Sequence, residues 1–146
     1  MKLVIQRVNH AEVKVDGTTI GSIQKGFLVF LGIGKGDSKE QVEYLVKKLV
    51  QLRIFSDQNG KMNQSIQDIG GELLIVSQFT LYADCHHGNR PSFTPAEEPS
   101  KAKMLYEYFV ETCKKTNCSN VATGEFGADM KIELENDGPV TIILEH

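Results

Sequence analysis

The sequence predicts an α+β domain: a curved, antiparallel-rich sheet or β-barrel with two main helices packed against it. Three observations carry this expectation. Two segments repeat apolar residues at helical spacing, most of the remainder is β-branched and alternating, and turn dipeptides punctuate it. A chain of 146 residues that is 40% hydrophobic can bury a sizeable core, and one domain over residues 1–146 is expected, with no internal repeat, linker or low-complexity tract.

The elements follow in order. Lys2 to Val8 is β-branched, and Glu12-Val13-Lys14-Val15 alternates before Asp16-Gly17, a dipeptide suited to a tight hairpin. Phe27 to Ile33 is a continuous apolar run, too short for a free-standing helix and consistent with a strand buried on both faces. Ser38 followed by Gln41 forms a capping box, and Val42, Leu45, Val46, Leu49 and Val50 then define a helix over 38–52. Arg53-Ile54-Phe55 predicts a short strand ending at Asp57-Gln58-Asn59-Gly60. After Gly70-Gly71, the stretch Glu72 to Tyr82 predicts a central strand. Gly88, Pro91, Pro95 and Pro99 break periodicity across 84–99 and predict a long loop. From Pro99, the stripe Ala102, Leu105, Phe109, Val110 and Cys113 predicts a second helix ending near Thr116. Met130, Ile132 and Leu134 alternate with charges and Val140 to Leu144 is β-rich, so a closing strand pair is expected around Asn136-Asp137-Gly138-Pro139.

Charge narrows the function classes. Sixteen Lys and Arg against nineteen Asp and Glu give 16 − 19 = −3, which excludes binding nucleic acid by bulk charge. Residues 1–66 hold 10 basic and 6 acidic groups (+4) and 67–146 hold 6 and 13 (−7), so any RNA contact must be local. Cys85, Cys113 and Cys118 are an odd set without CxxC spacing, which argues for a reducing compartment rather than a disulfide framework or zinc site. The opening Met1-Lys2-Leu3-Val4-Ile5-Gln6-Arg7 has no long apolar run, so the expected location is cytoplasmic and no membrane contact is expected.

Several residues invite a chemical reading. Gly32-Ile33-Gly34-Lys35-Gly36-Asp37-Ser38 sits between a strand and a helix as phosphate loops do, but Gly34-Lys35 is followed by Gly36 rather than Ser or Thr. A plain strand-to-helix turn is the better reading. His86 and His87 lack partners at metal-ligand spacing and read as a surface pair, and no GxSxG elbow is present. Ser77-Gln78-Phe79-Thr80-Leu81 is more unusual, because a hydrophobic strand suddenly carries three hydrogen-bonding side chains that need partners or a substrate. The bland alternative is a strand with one polar face. Gly138-Pro139 interrupts a second strand pattern, which by itself is an ordinary turn.

Together, Ser77-Gln78-Phe79-Thr80-Leu81 and Asn136-Asp137-Gly138-Pro139-Val140-Thr141 strongly resemble the two signature motifs of the D-aminoacyl-tRNA deacylases, also called D-tyrosyl-tRNA deacylases. Gln6-Arg7-Val8, Gly88-Asn89-Arg90-Pro91-Ser92-Phe93 and Gly124, Phe126, Gly127, Ala128 and Met130 fall where that family has them. One departure is Asp84-Cys85-His86-His87, where members often carry a basic residue before the glycine.

The resemblance implies hydrolysis of the ester joining a D-amino acid to the 3′-terminal ribose of tRNA, by a cytoplasmic homodimer with no cofactor, metal or DNA partner. Such an ester is already reactive, so a site needs chiefly to orient it and stabilise the oxyanion. Backbone amides near Phe79 and Thr80 are candidate donors. Thr80 is either a nucleophile or a positioned hydroxyl beside an attacking water; without an evident base, positioning is favoured, with the neighbouring ribose 2′-hydroxyl as a participant. Gln78 is assigned to the substrate's polar groups and Ser77 to support of the strand. In the family Gly138-Pro139 corresponds to a cis dipeptide inserted from the partner subunit, its carbonyls rejecting L side chains. A filter of this kind passes glycyl-tRNA as well. Phe126 and Met130 either line the pocket for the terminal adenosine or pack in the core. Arg7 either anchors the inserted dipeptide or a phosphate, or forms a salt bridge.

Overall fold

The computed structural model describes residues 1–146. Strand β1 (Lys2–Val15) organises the sheet. One of its edges is shared by β3 (Gly26–Gly32), opposite its first half, and β2 (Thr18–Ile23), opposite its second half. Its other edge is taken along the whole length by β8 (Lys131–Glu145). These pairings are antiparallel; β3, β6 (Glu72–Ser77) and β7 (Asn120–Thr123) are parallel, so the sheet is mixed.

The sheet nearly closes into a barrel. β2 comes so close to β7 that a Cβ on Gly21 would lie 2.5 Å from the Thr123 carbonyl oxygen. Inside sit Val8, Ala11, Val13, Ile23, Leu28, Leu74 and Val76. Outside, α1 (Lys39–Gln51) and α2 (Pro99–Lys114) cover Leu3, Ile5, Phe27, Val29 and Leu31 with Leu45, Leu49, Leu105 and Phe109. β3 is apolar throughout because its alternate residues enter these two different cores.

The capping box on α1 is present, with Ser38 and Gln41 bonded reciprocally, and Pro99 opens α2. Asp16 and Gly17 both take positive φ in the first hairpin. The short strand expected at 53–55 is Phe55–Ser56 (β4), paired with Met62–Gln64 (β5).

Two expectations are corrected. The strand expected over 72–82 stops at Ser77 and turns into a 3₁₀ helix over Phe79–Tyr82. Its partner β3 ends at Gly32, so after the Gln78 amide bonds the Leu31 carbonyl there is no further ladder to join. Nor do residues 131–145 form a strand pair. They make one strand because β1 offers a continuous edge, and Asn136–Pro139 is absorbed as an irregularity within it. The parallel strand β7 was not foreseen; its four residues are too few to show a period.

Candidate functional site

β6 delivers polar groups to the end of a buried strand. Val76 is in the barrel core, whereas Ser77 and Gln78 are half-buried and Phe79 and Thr80 are exposed. In the tight turn that follows, Leu81 donates to the Gln78 carbonyl at 3.2 Å and Ala83 to the Thr80 carbonyl at 3.0 Å. Phe79 and Thr80 are the first two residues of the 3₁₀ helix, so their amides have no acceptor within it, and no side chain caps that end. Gln78 Nε2 donates to Thr80 Oγ1, which ties the two side chains together.

Beside this turn lies a cleft of about 470 Å³. Ser77, Gln78 and Phe79 form one wall, Phe126 and Met130 another, and Ile33 and Ala102 contribute to an apolar lining. Phe126 packs against Tyr106 with ring centroids 5.8 Å apart, and the Tyr106 hydroxyl donates to the Ile75 carbonyl at 2.9 Å. Burial pushes that hydroxyl's pKa up to about 12. Thr80 stands at the rim rather than in the lining, reached through Gln78. Phe79 is 58% exposed and meets Phe93 of the long loop edge-on, with centroids 5.0 Å apart. Glu97 also lines the cleft. The Lys101 ammonium, 2.6 Å from its carboxylate, lowers the Glu97 pKa. Neither Glu97 nor Tyr106 was legible as part of a site; the only signal was the Glu97 to Lys101 helical spacing.

The second motif lies elsewhere. Gly138 and Pro139 are exposed on β8 and line no part of this chain's cleft. The peptide bond between them is cis, and Gly138 has φ +132°. Across the irregularity, Gln6 pairs with Thr141 and Val8 with Asn136, so only Arg7 faces residues 137–140. Arg7 is buried: its Nε donates to the Asp137 carbonyl at 2.9 Å and lies 3.2 Å from the Asp137 carboxylate, while Nη1 donates to the Ile54 carbonyl. Arg7 therefore forms a salt bridge with Asp137, the residue before Gly138 on the same strand.

The histidines remain outside. His86 is exposed and 2.7 Å from the Asp84 carboxylate, whose pKa is lowered by the His86 amide and ring. No cluster of three or more His, Cys, Asp or Glu groups is placed to hold a metal ion. No helix is long and apolar enough to cross a membrane.

Comparisons place these features in a known group. A family model described as D-Tyr-tRNA(Tyr) deacylase matches residues 4–145. A D-aminoacyl-tRNA deacylase of Thermosipho melanesiensis is 59% identical over 145 residues, 99% of this chain and 97% of that one. One of Clostridium novyi is 55% identical over the same shares. Among solved structures, one described as c-Myc DNA Unwinding Element Binding Protein superposes with a TM-score of 0.94 at 41% identity, covering 100% of this chain and 99% of that one. A second, described as "a probable eukaryotic D-amino acid tRNA deacylase", has a TM-score of 0.82 at 17% identity, covers 98% of this chain and 97% of that one, and shares the fold.

Proposed function

Because the chain belongs to the D-Tyr-tRNA(Tyr) deacylase family, we propose that the cleft beside Gln78 and Phe79 holds the aminoacylated 3′ end of tRNA. The enzyme is a D-aminoacyl-tRNA deacylase, a hydrolase of aminoacyl-tRNA ester bonds. The observation that carries the site assignment is the pair of amides at Phe79 and Thr80, which open a 3₁₀ helix without intrahelical acceptors or a side-chain cap beside a largely apolar cleft of ligand-binding size.

In this reading, water attacks the ester carbonyl carbon, and the negative charge that develops on the carbonyl oxygen is met by the two amides. The tetrahedral intermediate collapses by breaking the bond between the carbonyl carbon and the ribose 3′-oxygen; one proton of the water goes to that oxygen, the other to solvent, and the amino acid leaves as its carboxylate. Thr80 Oγ, held by Gln78, positions the attacking water, and the adjacent ribose 2′-hydroxyl is the proposed proton relay. Gln78 contacts the substrate's polar groups, Ser77 supports the end of β6, and Phe126 and Met130 flank the adenine.

Chirality needs a second element, because D and L substrates share every functional group. Gly138 and Pro139 lie outside their own chain's cleft, which supports a homodimer in which each subunit presents this dipeptide to its partner's cleft. The outer edge of β8 is unpaired and Ile143 on it is 62% exposed, as an interface strand requires. Glycine permits backbone to approach the substrate α-carbon closely, so an L side chain collides and a D side chain projects away. Arg7 fixes this segment. A filter acting by exclusion also passes glycyl-tRNA.

The test offers the protein D-tyrosyl-, L-tyrosyl- and glycyl-tRNA side by side, with a chelator present. Release from the first and third, and not the second, is expected. Equal release from the L substrate overturns the filter, and loss of activity on chelation overturns metal-free hydrolysis. The name of the solved relative that binds a DNA element favours one competing reading, a nucleic-acid-binding module without chemistry. That module would bind tRNA with strongly salt-dependent affinity and release nothing.

A further inference from the structure

The glycine-rich segment that ends β3 binds no phosphate in the reading above, yet two of its three glycines, Gly32 and Gly34, pack closely against the turn after β6, while Gly36 faces open space. We propose that Gly34, with Gly32, forms a socket for the Tyr82 ring, and that this socket is a positioning device for Phe79 and Thr80. The inference rests on the assignment of those two residues to the ester-hydrolysing site.

Three sets of contacts support it. A Cβ on Gly34 would lie 2.5 to 2.7 Å from three atoms at the far end of the Tyr82 side chain, closer than real Cβ atoms come, so the ring would have to move aside. A Cβ on Gly32 would lie 3.0 Å from Leu81 Cβ and 3.1 Å from the Gln78 carbonyl oxygen. Both glycines are buried, and no positive φ is involved, so space rather than backbone freedom requires them. The Lys2 ammonium lies over the Tyr82 ring, 5.2 Å from its centroid.

The socket itself is rigid. The Gly34 amide donates to Asp37 Oδ2 at 2.7 Å, and the other oxygen of that buried carboxylate holds the Met1 ammonium at 2.7 Å. The anion that a phosphate loop would take from solution is thus supplied by the chain. Lys35 donates to the Pro95 carbonyl and Glu97 to the Ile33 carbonyl, which pins the long loop to the same segment. Tyr82 ends the 3₁₀ helix that Phe79 begins, so a shift of its ring is transmitted to the Thr80 amide within one turn. A displacement of about 1 Å at a reacting centre costs roughly 100-fold in rate.

The test is a double-mutant cycle on steady-state hydrolysis of D-tyrosyl-tRNA, with Gly34→Ala, Tyr82→Leu and both together. Leucine is too short to reach the positions of the ring's far edge. Gly34→Ala is expected to lower kcat about 100-fold with KM nearly unchanged. Adding Tyr82→Leu is expected to recover at least tenfold of that loss, a coupling that additive damage does not produce. A folded Gly34→Ala protein with wild-type kcat, or one whose loss Tyr82→Leu leaves in place, overturns the proposal. If Gly34→Ala does not fold, Tyr82→Leu alone decides: the unseated turn lowers kcat several-fold, and an unchanged kcat overturns the socket. Wild-type protein that leaves D-tyrosyl-tRNA intact sinks the assignment of the site and the socket with it, whereas an active wild type with an indifferent Gly34→Ala sinks the socket alone.

Discussion

Two strands of this protein break their ladders at a polar motif, and they do so in opposite ways. β6 runs out of partner at Ser77, and the chain tucks Leu81 and Tyr82 back against Gly32 and Gly34. β8 keeps its partner and instead bulges over Asp137–Val140, held by the single buried side chain of Arg7. The first interruption faces a cleft of its own chain; the second faces away from it. The difference teaches that one is complete within the subunit, while the other offers exposed backbone with nothing of its own to act on. Hydrolytic power should therefore belong to the turn after β6, and handedness to the bulge in β8.

The sharpest way to break this division is at the bulge. At Gly138, φ +132° disfavours any side chain, and a Cβ would lie 2.9 Å from Val140 Cγ2 and 3.1 Å from Arg7 Nη2. Gly138→Ala is expected to cut kcat/KM for D-tyrosyl-tRNA by about 100-fold while the protein remains folded. Steady-state kinetics beside a circular dichroism melt checks this, and wild-type kinetics would detach the bulge from the reaction.

A smaller effect is expected at the turn. Thr80→Val keeps the shape and the backbone amide but removes the hydroxyl that Gln78 holds. If positioning is its task, kcat falls by about tenfold, the rate factor that one ordinary hydrogen bond is worth. A loss beyond about 10⁴-fold would point to a covalent nucleophile.

The smallest effect concerns the support under the cleft. Tyr106→Phe removes one buried hydrogen bond to the Ile75 carbonyl and should cost about 1 kcal/mol at neutral pH. Burial raises this hydroxyl's pKa from 10.0 to about 12. The folded protein therefore keeps the proton longer than the unfolded chain. The associated stability is present in full below pH 10 and is lost as pH rises through about 12. Denaturant melts across this window should show a shallower alkaline decline for Tyr106→Phe. The Tyr82 hydroxyl, raised to about 12 by burial and then by Asp37 and Glu145, leaves part of the decline in place.

Much of the fold was legible because its signals are local. A capping box and five apolar residues in register are enough to define α1, and Asp16-Gly17 names its hairpin. The two polar motifs were conspicuous for a related reason: hydrogen-bonding side chains and a Gly-Pro pair are costly inside strands unless something uses them. What was not legible depends on partners distant in sequence. Glu72 to Tyr82 reads as one strand until β3 ends at Gly32, and residues 131–145 read as two until β1 proves continuous. Tyr106 fell outside the stripe read for the second helix and Glu97 inside the expected loop, since neither pattern reveals the Tyr106 contact with Phe126 or the place of Glu97 in the cleft.

The sequence by itself determined the class of fold, the positions of both helices and the two segments whose chemistry is out of place in a strand. These follow from period, capping and side-chain type, which act over a few residues. Only the tertiary structure decided that Ser77, Gln78, Phe79, Phe126 and Met130 share one cleft and that Gly138 and Pro139 stand outside it. It likewise decided that Gly34 is a socket for Tyr82 and not a cradle for phosphate. Which strand runs out first, and which ring fills a missing Cβ, are set by close packing between residues tens of positions apart, and no local pattern encodes that.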